Sequence, residues 1–197
     1  TPQVRDAVAR LKEAGLAVVA LVSDLPNSKR DYFIGVNSLA AGRTAALLMG
    51  RFVHNPGEIL VVTNSIHSRD SLERRVGFDD VIREDFSHLS VLPSVEAYDD
   101  PDRMAQIIDE VIVNRPRLAG IYSVGWGNSA LLGILRQRRH EHRLCVIAHE
   151  LTPATHDALL KNELAAVIAH NVGHLIRGAL RVLRSLCDEL PIYEAQE

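Results

Sequence analysis

Two hydrophobic periodicities alternate along the chain. Apolar residues recur at helical spacing from Val4 to Ala14, and Gly15 follows as a C-terminal stop. The next run, residues 17–22, is apolar at every position, which is typical of a parallel strand covered on both faces. The alternation predicts strands at residues 17–22, 32–36, 58–63, 89–94, 118–124, 144–148 and 164–169, and helices at residues 4–14, 38–53, 68–84, 100–114, 128–139, 152–161 and 172–186.

Strands that alternate with helices of this length indicate βαβ units joined by right-handed crossovers. We therefore expect an α/β fold with three layers, in which parallel sheets lie between helices. Binding groups in such folds lie on loops at the carboxyl ends of the strands. Five of these loops carry polar groups, at residues 23–24, 63–71, 124–128, 149–152 and 170–171. Carboxylate and amide acceptors combined with arginine donors suit a hydroxyl-rich, neutral ligand.

Composition excludes several classes of protein. The 197 residues are 47% hydrophobic and 24% charged, an ordinary globular balance that excludes a disordered or collagen-like chain. The net charge of -3 argues against electrostatic nucleic-acid binding by this chain. No apolar run reaches about 18 residues, so no membrane span is predicted.

The two cysteines favour a reducing compartment. Cys145 and Cys187 lie in apolar runs, which predicts two buried thiols rather than a disulfide. No signal peptide is recognisable, and the first residues resemble the cut edge of a longer chain. These features together predict a cytoplasmic protein.

Glycine-rich catalytic and cofactor motifs are incomplete. The segment 125–129 follows a predicted strand, but a dinucleotide-binding loop would need glycine where Ala130 stands. A nucleophile elbow would need glycine where Leu131 stands. Trp126, in the same segment, suits either the core or an apolar wall against a sugar ring.

Nine histidines raise the question of a metal site. Residues 140–142, His-Glu-His, fall in a charged segment, and the pair 149–150 lacks the second histidine of a zinc-protease helix. His170 and His174 are four residues apart at a helix start, too few ligands for zinc. We therefore predict no metal, no cofactor and no catalysis.

Four segments resemble type I periplasmic-binding-protein domains. Residues 36–42, V-N-S-L-A-A-G, resemble the family's V-D-N-x-x-A-G, and residues 73–78 resemble its R-x-x-G-F. Residues 148–153 resemble its G-F-D-x-T-P, and residues 166–170 its A-x-I-x-Q strand end. All four occur in family order and spacing, and the likeness covers almost the whole chain.

The resemblance implies a set of ligand-binding residues. Arg74 matches the family's ligand-binding arginine, Asn37 an acidic pocket position, Glu150 the pocket aspartate and His170 a pocket glutamine. Asn128 falls on a loop where the family places Asn or Asp. Other roles are open: Asn37 and Glu150 could cap helices, and Arg74 could form a surface ion pair. The predicted ligand-binding set is Asp24, Asn37, Arg74, Trp126, Asn128, Glu150 and His170.

The family includes sugar receptors of ABC importers and effector domains of LacI/GalR-type repressors. Residues 21–26, 40–46 and 179–183 look more like the repressors. The first expectation is therefore a repressor's effector-binding core that closes on a sugar or polyol and alters the geometry of a homodimer. Operator DNA would bind through a helix-turn-helix outside this chain. The alternatives are a sugar-importer solute-binding protein and, third, a metal hydrolase around His149, Glu150 and His170.

The family fold also predicts the domain organisation. Residues 1–86 are expected to form a partial N-terminal lobe, residues 87–186 the C-terminal lobe, and residues 187–197 a crossing segment. The fold is thus expected to be two-lobed with an incomplete first lobe. Such a lobe should expose apolar sheet surface.

Overall fold

The predicted α/β fold is confirmed in a computed structural model of the chain. The structure describes residues 2–63, 65, 68–98, 100–125, 127–138 and 144–192. Its helices are α1 (Pro2–Glu13), α2 (Ser38–Phe52), α3 (Arg69–Asp85), α4 (Pro101–Asn114), α5 (Asn128–Gln137), α6 (Pro153–Leu160) and α7 (Val172–Cys187). Its strands are β1 (Val19–Leu21), β2 (Tyr32–Ile34), β3 (Gly57–Thr63), β4 (Leu89–Val91), β5 (Val95–Glu96), β6 (Leu118–Ser123), β7 (Cys145–His149) and β8 (Ala166–Ile168).

The chain divides into two compact units. The central unit comprises residues 37–170, and the terminal unit comprises residues 1–36 together with residues 171–197. This division differs from the expected lobes, whose boundary between residues 86 and 87 falls inside the central unit. The physical reason is that β4 pairs with β3 in one sheet, so residues on both sides of that boundary share a core.

The central unit is built on a parallel sheet of six strands. The order is β4-β3-β6-β7-β8, and β5 pairs with the end of β3. Buried side chains form one hydrophobic cluster around Ile108, Ile121 and Leu131 and a second around Met49, Phe78 and Ile147. The sheet is thus covered on both faces, as the continuous apolar strands predict.

The terminal unit contains one parallel pair of strands, β1 and β2. Helix α7 contacts both strands. Leu21 and Tyr32 on these strands are exposed by 39% and 41%. These two side chains therefore contribute apolar surface that the described residues leave uncovered.

Both cysteines are free thiols, as predicted, but neither is fully buried: Cys145 is half-buried, and Cys187 at the end of α7 is exposed. Burial raises the pKa of Cys145 to about 11, so its thiol stays protonated at neutral pH. Within the described parts of the chain, no helix has the length and apolar character needed to cross a membrane.

Candidate functional site

Four strand ends meet at the carboxyl edge of the central sheet. The register pairs Val62 with Ser123, Ser123 with Ala148, and His149 with Ile168. The loops after β3, β6, β7 and β8 therefore leave the sheet side by side. This arrangement places Asn128, Glu150 and His170, which follow β6, β7 and β8, along a common edge.

Arg74 reaches this edge from α3. The side chain is 8% exposed, and its Nη1 donates to the carbonyl of Val124, just beyond β6, at 2.7 Å. Its Nε is buried without a hydrogen-bond partner, as is Oγ1 of Thr63 at the end of β3. Arg74 is therefore not the surface ion pair that the sequence left open. It is a buried cation with an N–H group, at Nε, that is not used in a hydrogen bond.

Asn128, the first residue of α5, ties two strand ends together. Its Oδ1 accepts from Ser123 Oγ at 2.7 Å, and its Nδ2 donates to the carbonyl of His149 at 2.8 Å. Asn128 is only 8% exposed. The local role of this amide is to fix the end of β7 beside β6.

His149 is buried and uncharged. Its Nε2 lies 2.8 Å from Tyr122 Oη, and its ring is 5.6 Å from the tyrosine ring. Burial, the charge of Arg74 and the charge of His170 lower the pKa of His149 to about 3. Burial raises the pKa of Tyr122 well above its usual range. Both groups therefore stay neutral around pH 7, and the buried positive charge at this edge comes from Arg74.

Glu150 and His170 form a pair at the rim. Glu150 Oε1 lies 4.0 Å from Nδ1 of His170, and the two side chains are 42% and 11% exposed. Glu150 has a φ of 75°, a left-handed backbone that glutamate rarely adopts. Its amide donates to the carbonyl of Ile168 at 3.0 Å. Glu150 does not cap α6, because Thr152 does so.

Two predicted residues have local structural roles. Asn37 is exposed and caps α2 by accepting from the amide of Ala40 at 2.9 Å. Asp24, in the terminal unit, accepts from Arg30 Nε at 2.5 Å and Nη2 at 2.8 Å. Trp126 lies outside the described residues. The ligand-binding roles of all seven predicted residues stay predictions.

The sequence reasoning did not select Tyr98 or Thr155, whose contacts bear on the candidate site. Tyr98 follows β5 with a φ of 52°, and its hydroxyl donates to Glu96 at 2.6 Å. The guanidinium of Arg103 lies 5.0 Å from the centre of the Tyr98 ring. Tyr98 is the one aromatic residue in the largely polar segment 94–102, and this was the signal that could have indicated it. The T-P pair at residues 152–153 indicated a helix start, but nothing in the sequence singled out Thr155.

The remaining motifs receive structural explanations. Gly127 caps α5 with a φ of 83°, and a Cβ there would lie 2.6 Å from Met104 Cε. The glycine therefore serves a tight strand-to-helix turn. No group of three or more potential metal ligands exists among the described residues. The sequence 140–142, considered for a metal, lies outside them.

The parallel sheet and its polar carboxyl edge define the class of type I periplasmic-binding-protein-like folds, as the resemblance implied. A model of the periplasmic binding protein domain matches residues 1–190, and the chain belongs to this family. Its members are binding proteins rather than enzymes. No curated protein matches the chain significantly.

Several solved structures share the fold. A glucose-galactose binding protein from Geobacillus stearothermophilus superposes with a TM-score of 0.86 at 16% identity, over 96% of this chain and 68% of that one. An ABC transporter solute-binding protein from Burkholderia graminis, solved with D-arabinose, gives 0.87 at 24%, over 94% and 65%. A sugar-binding protein of a Bacillus halodurans sugar ABC transporter gives 0.87 at 22%, over 98% and 67%. The chain thus spans about two thirds of the length of these proteins.

The prediction that the chain is part of a transcriptional regulator is wrong. The structural neighbours are sugar-binding proteins and ABC transporter solute-binding proteins, and nothing found indicates a LacI/GalR repressor. The two classes share one fold, so the segments that carried the resemblance could not separate them. A neighbour from Hahella chejuensis, 18% identical, is the periplasmic component of an ABC-type sugar transport system.

Proposed function

We propose that the chain is the ligand-binding part of a solute-binding protein that delivers a sugar to an ABC importer and works outside the cytoplasm. The observation that carries the proposal is the Glu150–His170 pair, 4.0 Å apart at the carboxyl edge of the central sheet. The sugar-binding neighbours support the ligand class. The homodimer expected from the sequence stays a prediction.

The chemistry of this edge suits hydroxyl groups. The exposed carboxylate of Glu150 is an acceptor, and His170 offers a ring nitrogen as donor or acceptor. Arg74 adds a buried cation whose Nε has no partner. A sugar hydroxyl is both donor and acceptor, so it can satisfy groups of both kinds in one ring.

An aromatic wall completes the proposed site. Arg103 covers one face of the Tyr98 ring, and Tyr98 is 51% exposed. The loop of Tyr98 follows β5, which pairs with the carboxyl end of β3 at Thr63. Sugars present apolar C–H faces to aromatic rings, and we assign that contact to Tyr98.

The test is calorimetric titration with D-glucose, D-galactose, D-arabinose and D-fucose. At least one should bind the unaltered protein, and Glu150→Gln should weaken it by about tenfold or more, since a hydrogen bond to a charged group is worth about 1.5–3 kcal/mol. Glu84→Gln, an exposed carboxylate at the far end of α3, is the matched control and should bind normally. Equal affinity in Glu150→Gln would remove Glu150 from the site.

A further inference from the structure

The backbone at Glu150 is held in an unfavourable conformation. A φ of 75° places a glutamate where side chains other than glycine rarely occur. Such conformations cost free energy and persist only where the surrounding contacts impose them. Contacts that impose the turn at Glu150 therefore also decide where its carboxylate points.

Three hydrogen bonds fix the peptide groups on both sides of Glu150. Asn128 Nδ2 donates to the preceding carbonyl, that of His149, at 2.8 Å. The amide of Glu150 donates to Ile168 at 3.0 Å, and its carbonyl accepts from Thr155 Oγ1 at 2.8 Å. With both peptide planes held, the Cα–Cβ bond of Glu150 has one direction. That direction brings the carboxylate to 4.0 Å from His170.

Thr155 is the only one of these donors that comes from α6. The residue is fully buried, at 0% exposure, so it does not reach a ligand itself. Its hydroxyl accepts from the amide of Thr152 at 2.8 Å and has one proton to donate. The carbonyl of Glu150, at 2.8 Å, is nearer than that of Thr152, at 3.2 Å. The hydroxyl proton therefore goes to Glu150.

We propose that Thr155 is a positioning residue of the binding site, whose hydroxyl holds Glu150 in its left-handed conformation and aims the carboxylate at the ligand. The inference rests on the proposed sugar-binding function. Removing the hydroxyl leaves the Glu150 carbonyl without its donor and relaxes the strained turn. The carboxylate then loses its fixed direction, although it is still present.

The experiment measures the affinity of the tightest-binding sugar of the four in a double-mutant cycle. Thr155→Val keeps the branched shape and removes the hydroxyl, and we expect binding to weaken by about tenfold, the worth of one well-formed hydrogen bond. Thr155→Ser restores the hydroxyl and should bind within about twofold of the unaltered protein, a negligible difference in free energy. Thr44→Val, an exposed threonine on α2 whose hydroxyl donates to Ala40 at 3.0 Å, is the control.

The cycle separates positioning from general stability. In a Glu150→Gln background, Thr155→Val should cause little further loss, because the contact it serves is already gone. An equal loss in both backgrounds, or normal affinity in folded Thr155→Val, overturns the inference. If the valine variant does not fold, Thr155→Ala removes the same hydroxyl without a second methyl group in the turn. Absence of sugar binding by the unaltered protein overturns the proposed function and this inference with it.

Discussion

The central and terminal units follow the same alternation of strands and helices, yet they differ in depth of burial. Met49, Phe78 and Ile147 in the central unit are 0% exposed. In the terminal unit, the buried apolar residues Val8, Leu175, Ala179 and Val182 keep 7–9% of their surface exposed. Six strands between two helix layers enclose complete side chains, whereas a pair of strands does not. The comparison teaches that a local alternation of strands and helices determines which elements form. How deeply their side chains are buried depends on how many strands pair in the sheet.

The largest contrast is expected for large-to-small substitutions. Phe78 is fully buried and stacks on Tyr122 with ring centres 4.6 Å apart, so Phe78→Ala should cost about 3–5 kcal/mol. Leu175→Ala in α7 should cost about 2 kcal/mol, the low end for leucine, because the side chain is less enclosed. Denaturant unfolding measures both. Equal costs would show that the two cores are equally well packed.

Glycine-to-alanine substitutions in helices sharpen the comparison. A Cβ at Gly77 would lie 2.2 Å from the carbonyl oxygen of Leu39, where α2 crosses α3, so Gly77→Ala should cost about 1–3 kcal/mol or more. A Cβ at Gly178 in α7 would meet Ile34 at 3.5 Å, an ordinary contact. Gly178→Ala should therefore stabilise by up to about 1 kcal/mol through helix propensity. Thermal unfolding should show opposite signs for the two substitutions.

Acid should lower the free energy of unfolding of the central unit, because buried His149 resists protonation in the folded chain. Its pKa is lowered to about 3 in the folded chain, whereas an unfolded histidine titrates near about 6.5. Below the unfolded value, the unfolded chain binds more protons, so stability falls as the pH drops from about 6.5 toward 3. The contribution lost by pH 5.5 is at most about 1.4 kcal/mol.

The pH test compares denaturant unfolding at several pH values in two variants. His149→Gln removes the titrating group and should flatten the acid side of the profile. His174→Gln, an exposed histidine of α7, is the control from the terminal unit and should leave the profile unchanged. A profile of His149→Gln that still matches the unaltered protein would mean that His149 titrates normally.

The smallest expected effects come from two matched helix caps. Asn37 caps α2 and Asn171 caps α7, and each accepts from an amide three residues ahead at 2.9 Å. Each alanine substitution should cost about 1 kcal/mol of stability. If Asn37 is only a cap, sugar affinity stays unchanged in Asn37→Ala. A clear loss of affinity would give Asn37 the ligand role that the resemblance implies.

Most of the fold could be predicted from the sequence, because continuous apolar strands and capped helices leave clear local signals. Every predicted helix and strand is present, with ends shifted by a few residues. Strand β5 was missed because it is only two residues long, and a segment that short shows no periodicity. The expected lobes stay a prediction. Their boundary between residues 86 and 87 falls inside the central unit, and contiguity along the chain does not reveal that β3 and β4 on either side of it pair.

The site could be predicted only in part. Glu150 and His170 follow neighbouring strands and lie 4.0 Å apart, which is the proximity that a strand-end argument predicts, while their ligand-binding roles stay predictions. Asp24 and Asn37 had the same kind of signal, yet their side chains are engaged by Arg30 and by the start of α2. A sequence shows that a polar residue follows a strand, and it does not show which hydrogen bonds that residue makes.

The most direct test of the central claim is a crystal structure of the protein with its tightest-binding monosaccharide. The account predicts the sugar at the carboxyl edge of the central sheet, with a hydroxyl within hydrogen-bond distance, about 2.5–3.2 Å, of the Glu150 carboxylate. It also predicts that the Tyr98 ring packs on the sugar. A sugar bound elsewhere, with Glu150 and His170 paired only with each other, would contradict the account.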